Sequence, residues 1–476
     1  MISHTRSHVV ATALAALAAS SALLFGQRPT IGNAVRPFVK VDAPLVALTH
    51  VRVIDGTGAP ARDNQTLLIR NGVIAAVGSN VTVPPDAQVI DATGKSVLPG
   101  LVMLHEHLYY PTGPNVYGQL GLSFTRLYLA GGVTTMRTGG NVNGFMDITL
   151  AQRAAALEIA APAIDPTAPY LNGPQNQLQM HVLKDADDAR QQVAYWSAMG
   201  ATSFKAYMQI TRAELGAAIE EAHKRGLKVT GHLCSVTYAE AAALGIDNLE
   251  HGFAAATDFV ANKQPDVCPG QAQGQQTITP LDPASPQFLQ LVKTLVDKKV
   301  ALTSTLTVFE TFTPGRPMPP GVDVLMPALK EQFVQTFQRT SQNQNSGYAA
   351  LFPKMMKLEY AFAKAGGLLV AGTDPTGGGG VIPGYSNQRQ LELLVEEGFT
   401  PLEAITIGTL NGAKYLGRDR QIGSIAVGKQ ADLMLVTGDP SRLISDVRNV
   451  DTVFRQGIGF DPAKLIQSVS GRVGIW

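Results

Sequence analysis

Between residues 97 and 374, short apolar runs alternate with longer stretches whose apolar positions recur at helical spacing. β-like runs stand at 203–207, 228–232, 247–251 and 367–374, and helix-like stretches at 185–199, 212–225, 237–244 and 348–365 lie before them in turn. Strands that alternate with helices indicate parallel βα units. An earlier apolar run, 97–104, ends in His105-Glu106-His107. Side chains alternate faces along a strand, so His105 and His107 project together, as two neutral imidazoles must to grip one metal ion. Each later run also carries a metal-competent side chain near its C-terminal end: Lys205, His232, His251 and Asp374. In a closed (β/α)8 barrel the C-terminal strand ends converge on one face, which makes these six residues neighbours.

The flanks follow a different period. Residues 47–54, 65–70, 72–78 and 88–92 are short and strand-like, with Asn71-Gly72 as a tight hairpin signal, and 431–437 and 449–456 are strand-like again. These patterns allow one small β domain built from both ends of the chain or two separate β units. Two loops stand out within the barrel region. Residues 253–286 are rich in Gln, Pro and Gly, and 311–327 in Pro and Gly. Long loops at this face usually form binding walls or lids. The glycine run 377–380 lacks the Lys-Ser/Thr and the helix start of a phosphate cradle, and reads as a flexible loop.

The length, 476 residues, suits a barrel plus a smaller domain, and a hydrophobic fraction of 45% supports a large core. A net charge of +1 gives no reason to expect a nucleic-acid or anionic-membrane partner. Residues 1–26 read as an export signal, with Arg6 ahead of an apolar and small-residue run at 9–25. That run is slightly short for a membrane span of about 20 residues. Cleavage is expected between Ala18 and Gly26, or else retention as a tether, and the chain is expected to be periplasmic or secreted. Export bears on the two cysteines, Cys234 just past His232 and Cys268 in the 253–286 insertion. They are either free thiols or a disulfide clamping the insertion over the site, which an oxidising compartment permits.

The ordered segments Leu98-Pro-Gly with His105/His107, Thr134-Thr-Met-Arg137, Phe204-Lys205-Ala-Tyr207, Gly231-His232, Glu250-His251-Gly and Gly372-Thr-Asp374 resemble the amidohydrolase superfamily, near its exported prolidase-like and Xaa-Arg-dipeptidase-like branch. The run 423–433 resembles that family's return to its β domain. The resemblance implies an α/β fold, a (β/α)8 TIM barrel over 99–416 with a small β-sandwich built from 45–98 and 417–476. One departure is visible: Thr138 follows Arg137 where the family often has Asp or Glu, which weakens any substrate role for that loop.

The resemblance also implies the chemistry. Burial disfavours a lysine cation, so a neutral amine becomes available to add carbon dioxide as a carbamate. Lys205 would then bridge two divalent metal ions, zinc first among the candidates. His105, His107 and Asp374 would hold the more buried ion, and His232 and His251 the more exposed one. A metal-bridging hydroxide is the expected nucleophile, since coordination lowers the pKa of water from 15.7 to about 7. Asp374 would take its proton and return it to the leaving amine. Tyr207, two residues past Lys205, either hydrogen-bonds the developing oxyanion or packs at the rim. Arg137 either binds a substrate carboxylate or braces the site, and His181 is either a substrate contact or a surface histidine. His223 and His50 carry no evident role. The expected activity is exported, binuclear, metal-dependent cleavage of amide C–N bonds in dipeptides or N-acyl amino acids. Lactone or ester hydrolysis at the same site, or metal binding without turnover, are the alternatives. Subunit number is open.

Overall fold

A computed structural model describes residues 30–113, 116–174 and 180–475. The expected export signal, 1–26, lies outside the described residues. Among the described residues no helix is long and apolar enough to cross a membrane.

The barrel strands are β1 (Leu101–Glu106), β2 (Val133–Thr138), β3 (Ala163–Asp165), β4 (Ser203–Ala206), β5 (Lys228–Gly231), β6 (Asn248–Glu250), β7 (Ala301–Ser304) and β8 (Leu369–Ala371). β1–β3 form one parallel ladder and β4–β8 another. A parallel bridge from Thr167, just past β3, to Ser203 links the two ladders on one side. On the other side the amides of Thr373 and Asp374 both donate to the His105 carbonyl, at 3.1 and 3.0 Å. The result is the TIM-barrel arrangement, with the ends of β8 and β1 tied together beside the histidine pair.

Strand parity divides the barrel by polarity. Phe204, Val229, Leu249 and Leu302 are fully buried in the apolar layer. Each fully buried side chain of this size contributes roughly 1.5–3 kcal/mol. Their neighbours in sequence, Lys205, Thr230, Asn248, Glu250 and Thr303, are also buried but polar. TIM-barrel interiors are usually packed with branched apolar residues; here the interior layer beneath the site is a hydrogen-bonded polar network. The helices that return the chain are fixed by their caps. Thr211 with Glu214 and Thr237 with Glu240 form capping boxes ahead of Arg212–Lys224 and Tyr238–Leu244, an N-cap side chain typically being worth about 1 kcal/mol.

Both ends of the chain enter one nine-stranded sheet. The link is the antiparallel pairing of Leu433–Thr437 with Lys95–Pro99, from Leu433 opposite Pro99 to Thr437 opposite Lys95. Val46, Leu48, Leu67, Ile69, Leu433, Leu435 and Phe454 share its core. Of the two arrangements left open by the pattern, the ends form one β unit. The sheet also takes in Val39–Val41, ahead of the expected start at 45. Ile31, Val35 and Phe38 are buried there against Val453, Ile458 and Phe460, partners too distant in sequence to be read from a local pattern.

The 253–286 insertion is not all loop, since Gln271–Ile278 is helical. A disulfide joins Cys268 to Cys234. Of the two readings of the cysteines, the structure has the clamp.

Candidate metal centre

His105, His107, Lys205, His232, His251 and Asp374 line one cavity of about 250 Å³ at the C-terminal ends of the strands. His105, Lys205 and His232 follow the pleat of β1, β4 and β5. His251 and Asp374 do not. Both have left-handed backbones, with φ of 67° and 55°. Such values are uncommon for residues other than glycine and concentrate at functional sites. By parity His251 would point away from Glu250; the left-handed turn swings it onto the same face. Gly372 lets β8 approach β1, because a Cβ there would lie 2.4 Å from the His105 Cβ.

Three of the four imidazoles have an oxygen partner at Nδ1. His105 Nδ1 is 2.7 Å from Glu250 Oε2, His107 Nδ1 is 3.1 Å from the Gly140 carbonyl, and His251 Nδ1 is 2.9 Å from Thr305 Oγ1. A carbonyl only accepts, so His107 donates from Nδ1 and its Nε2 is turned toward Asp374, the orientation of metal-binding histidines. That Nε2 lies 3.2 Å from Asp374 Oδ1, and His105 Nε2 lies 3.8 Å from the same oxygen. The donor atoms of His105, His107 and Asp374 all lie within 4.8 Å of one another. His251 and His232 continue the ring of imidazoles, with centroids 4.5 Å apart.

Burial dominates the electrostatics. It lowers the His105 pKa to about 4 and that of His232 to about 3, with the nearby Lys205 charge adding to the effect. Burial also lowers Lys205 to about 8, against the pull of Glu250 and Asp374. For Asp374 burial alone would raise the pKa, but His105, His107 and His251 outweigh it and hold the carboxyl well below its usual range. Buried imidazoles, a carboxylate and a lysine with an enlarged neutral fraction form a donor set that fits divalent metal.

Two expected substrate contacts are placed elsewhere. Arg137 does not line the cavity. Its Nε donates to the Leu104 carbonyl at 2.7 Å, and its Nη2 donates to Asn248 Oδ1 at 3.0 Å and Glu250 Oε1 at 2.6 Å. A fully buried guanidinium engaged this way braces the site and is out of reach of substrate. His181 is 40% exposed and pairs with Asp188 at 3.0 Å, so it faces the surface, while its neighbour Met180 lines the cavity. His223 and His50 make exposed pairs with Asp247 and Asp91. Tyr207 does line the cavity, with its ring 5.0 Å from His232.

Glu250 carries a structural part that the sequence motif did not reveal. It joins His105 on one oxygen to Arg137 on the other, and Thr230 donates to it as well. The parity of Asn248 and Glu250 within β6 was the available signal. The aromatic wall, including Tyr109, Tyr170, Phe309 and Tyr348, comes from segments with no common motif. Only Tyr109, two residues past His107, was within reach of the alternation argument.

A sequence model of the Amidohydrolase family matches residues 96–459. Dihydropyrimidinase 1 of Caenorhabditis elegans is 41% identical over 92 residues, covering 19% of this chain and 18% of its own length. The chain thus spans less than a fifth of that curated relative. Two solved structures share the fold. A Xaa-Pro dipeptidase with bound methionine has a TM-score of 0.66 at 19% identity, covering 88% of this chain and 100% of that one. A bottromycin amidohydrolase has a TM-score of 0.68 at 19% identity, covering 95% and 97%. The match over 96–459, which takes in all eight barrel strands and the six residues around the cavity, shows that the chain belongs to the amidohydrolase family.

Proposed function

We propose that this protein is an exported hydrolase that cleaves the C–N bond of small amides with two divalent metal ions, zinc first among the candidates. One observation carries the reading: four imidazoles, Lys205 and Asp374, drawn from five barrel strands, line a single buried cavity. His105, His107 and Asp374 would hold one ion. His232 and His251 would hold the other, with Lys205, as its carbamate, supplying the anionic donor that pair lacks. Bound there, the ions provide a Lewis acid and a water that ionises near neutral pH.

The chain's own groups do the rest. Asp374 accepts the proton of the attacking water and donates it to the leaving nitrogen, so no free amide anion has to depart. Tyr207 offers its hydroxyl to the carbonyl oxygen as negative charge develops there; no hydrogen bond within the described residues engages that hydroxyl, and burial keeps it protonated. Glu250 and Arg137 keep His105 aimed. Dipeptides and N-acyl amino acids are the substrates suggested by the resemblance. Export is supported by the apolar run at 9–25 and by the Cys234–Cys268 disulfide, a bond that persists in oxidising compartments.

Asp374→Asn tests the proton-transfer role. Hydrolysis of small amides is expected to fall by at least about 10²-fold, with the far-ultraviolet circular dichroism of the folded protein retained. Full turnover by Asp374→Asn would remove the assignment.

A further inference from the structure

We infer that Glu106 is a positioning residue that, through Thr373, sets the spacing between the His105–His107 pair and Asp374. The inference rests on the two-metal hydrolase reading above and deepens it, by naming what holds the ligands of one ion together.

Strand alternation puts Glu106 on the face of β1 opposite to its two neighbours. There it is fully buried, and a carboxyl group so placed is costly unless its oxygens are hydrogen-bonded. Both are. Oε1 accepts from Asn387 Nδ2 at 3.0 Å, and Oε2 accepts from the Thr373 hydroxyl. Only one orientation of the Asn387 amide serves, because its Oδ1 accepts the Gly384 amide at 2.8 Å and so turns Nδ2 toward Glu106. Asn387 lies on the helix Tyr385–Glu397, and Thr373 lies just past β8. One carboxyl group thus joins the end of β1 to the end of β8 and to a helix of the outer layer.

Thr373 is where the tie reaches the metal site. It is fully buried, and its amide donates to the His105 carbonyl at 3.1 Å while its carbonyl accepts from the Thr307 hydroxyl at 3.0 Å. The next residue is Asp374, with its left-handed backbone at φ 55°. A residue other than glycine keeps such a conformation only where its surroundings hold it. On the far side the hold is local: the Thr376 amide donates to the Asp374 carbonyl at 2.6 Å, and the Thr376 hydroxyl to Asp374 Oδ1 at 2.8 Å. On the near side the amides of Thr373 and Asp374 share one acceptor, the His105 carbonyl. Two donors on one oxygen form a pivot. The hydrogen bond from the Thr373 hydroxyl to Glu106 is the second point that stops rotation about it. The Asp374 carboxylate then comes to rest with Oδ1 3.2 Å from His107 Nε2 and 3.8 Å from His105 Nε2. His105 and His107 are the chain neighbours of Glu106, and Asp374 follows its hydrogen-bond partner, so all three ligands are referred to one side chain.

The test is zinc affinity of the full chain, measured by chelator competition, with small-amide hydrolysis as a second readout. Thr373→Val keeps the side-chain shape and loses the donor. Partners behind a metal ligand typically change affinity or activity by about 10–100-fold. Thr373→Val is therefore expected to release one of two ions with a Kd at least about 10-fold above wild type, and to lower kcat by a similar factor with KM nearly unchanged. Thr373→Ser keeps the hydroxyl and is expected to hold both ions with near wild-type affinity. Glu106→Leu is expected to lose at least as much as Thr373→Val, and adding Thr373→Val to it to cost nothing further, because both remove the same contact. Should Glu106→Leu fail to fold, the two Thr373 variants decide. Wild-type affinity in Thr373→Val, or equal losses in Thr373→Val and Thr373→Ser, overturns the inference and leaves the hydrolase reading intact. If the wild-type chain binds zinc but hydrolyses no amide, the hydrolase reading fails, and the affinity series still decides the inference. A wild-type chain that binds no zinc overturns both.

Discussion

The floor and the wall of the cavity are built on opposite principles. Beneath the ligands, Glu250, Arg137, Asn248, Thr230 and Thr303 sit on barrel strands, fully buried and joined by hydrogen bonds. Around the mouth, Phe309, Phe312 and Tyr348 come from helices and connections, and Gln271 is held three residues past the Cys234–Cys268 disulfide. A polar floor on strands fixes imidazole directions to within a hydrogen bond's tolerance. An aromatic wall on connecting segments can change while the floor stays as it is. The difference assigns the reaction to the floor and the choice of substrate to the wall.

The contrast can be broken from below. Arg137→Met leaves the Glu250 carboxylate buried without its guanidinium. Stability is expected to fall by about 3–5 kcal/mol, the usual result of removing one partner of a buried ion pair, with loss of bound metal as His105 loses its anchor. Chemical denaturation with a metal assay checks both; a loss under about 1 kcal/mol with full metal content would make Arg137 dispensable to the floor.

Breaking the wall gives a different signature. Cys268→Ser opens a link between residues 34 apart in sequence. For a loop of that length the unfolded-chain entropy account gives about 3–4 kcal/mol of lost stability. Metal content and kcat are expected to hold while KM rises, because Gln271 loses its tether. A fall in kcat with unchanged KM would put the disulfide in service of the floor.

A pH titration of the metal-free protein sharpens the floor alone. His105 and His232 have folded pKa values of about 4 and about 3, below the ordinary 6.5. The unfolded chain therefore binds more protons between those values, and stability rises with pH. As pH falls below about 6.5, stability is expected to drop by up to about 1.4 kcal/mol per pH unit for each histidine, levelling off below the folded values. Denaturant midpoints at pH 4.5, 5.5 and 6.5 read this slope; a flat profile would mean the imidazoles are not held neutral by burial.

Part of the ligand set above the floor was legible in the sequence because strand parity is a local rule. It brought His105 together with His107, and Lys205 with Tyr207. It could not place His251 or Asp374, whose left-handed backbones suspend the rule, although their position at strand ends pointed to the same face. Arg137 and His181 have the composition of substrate contacts, and only the positions of Glu250 and Asp188 show that they are engaged elsewhere. Beyond Tyr109 the wall was illegible for a plainer reason: Tyr170, Phe309 and Tyr348 share no spacing, and tertiary packing alone makes them neighbours. The β unit fell between these cases, since strand character was visible at both chain ends but their pairing across more than 300 residues was not.

The central claim is that Lys205, surrounded by imidazoles, completes a two-metal site. Elemental analysis of the wild-type chain beside Lys205→Ala tests it most directly. The account predicts about two divalent ions per wild-type chain, and in Lys205→Ala the loss of at least one together with the loss of amide hydrolysis. A Lys205→Ala protein that keeps its full metal content and its turnover would contradict it.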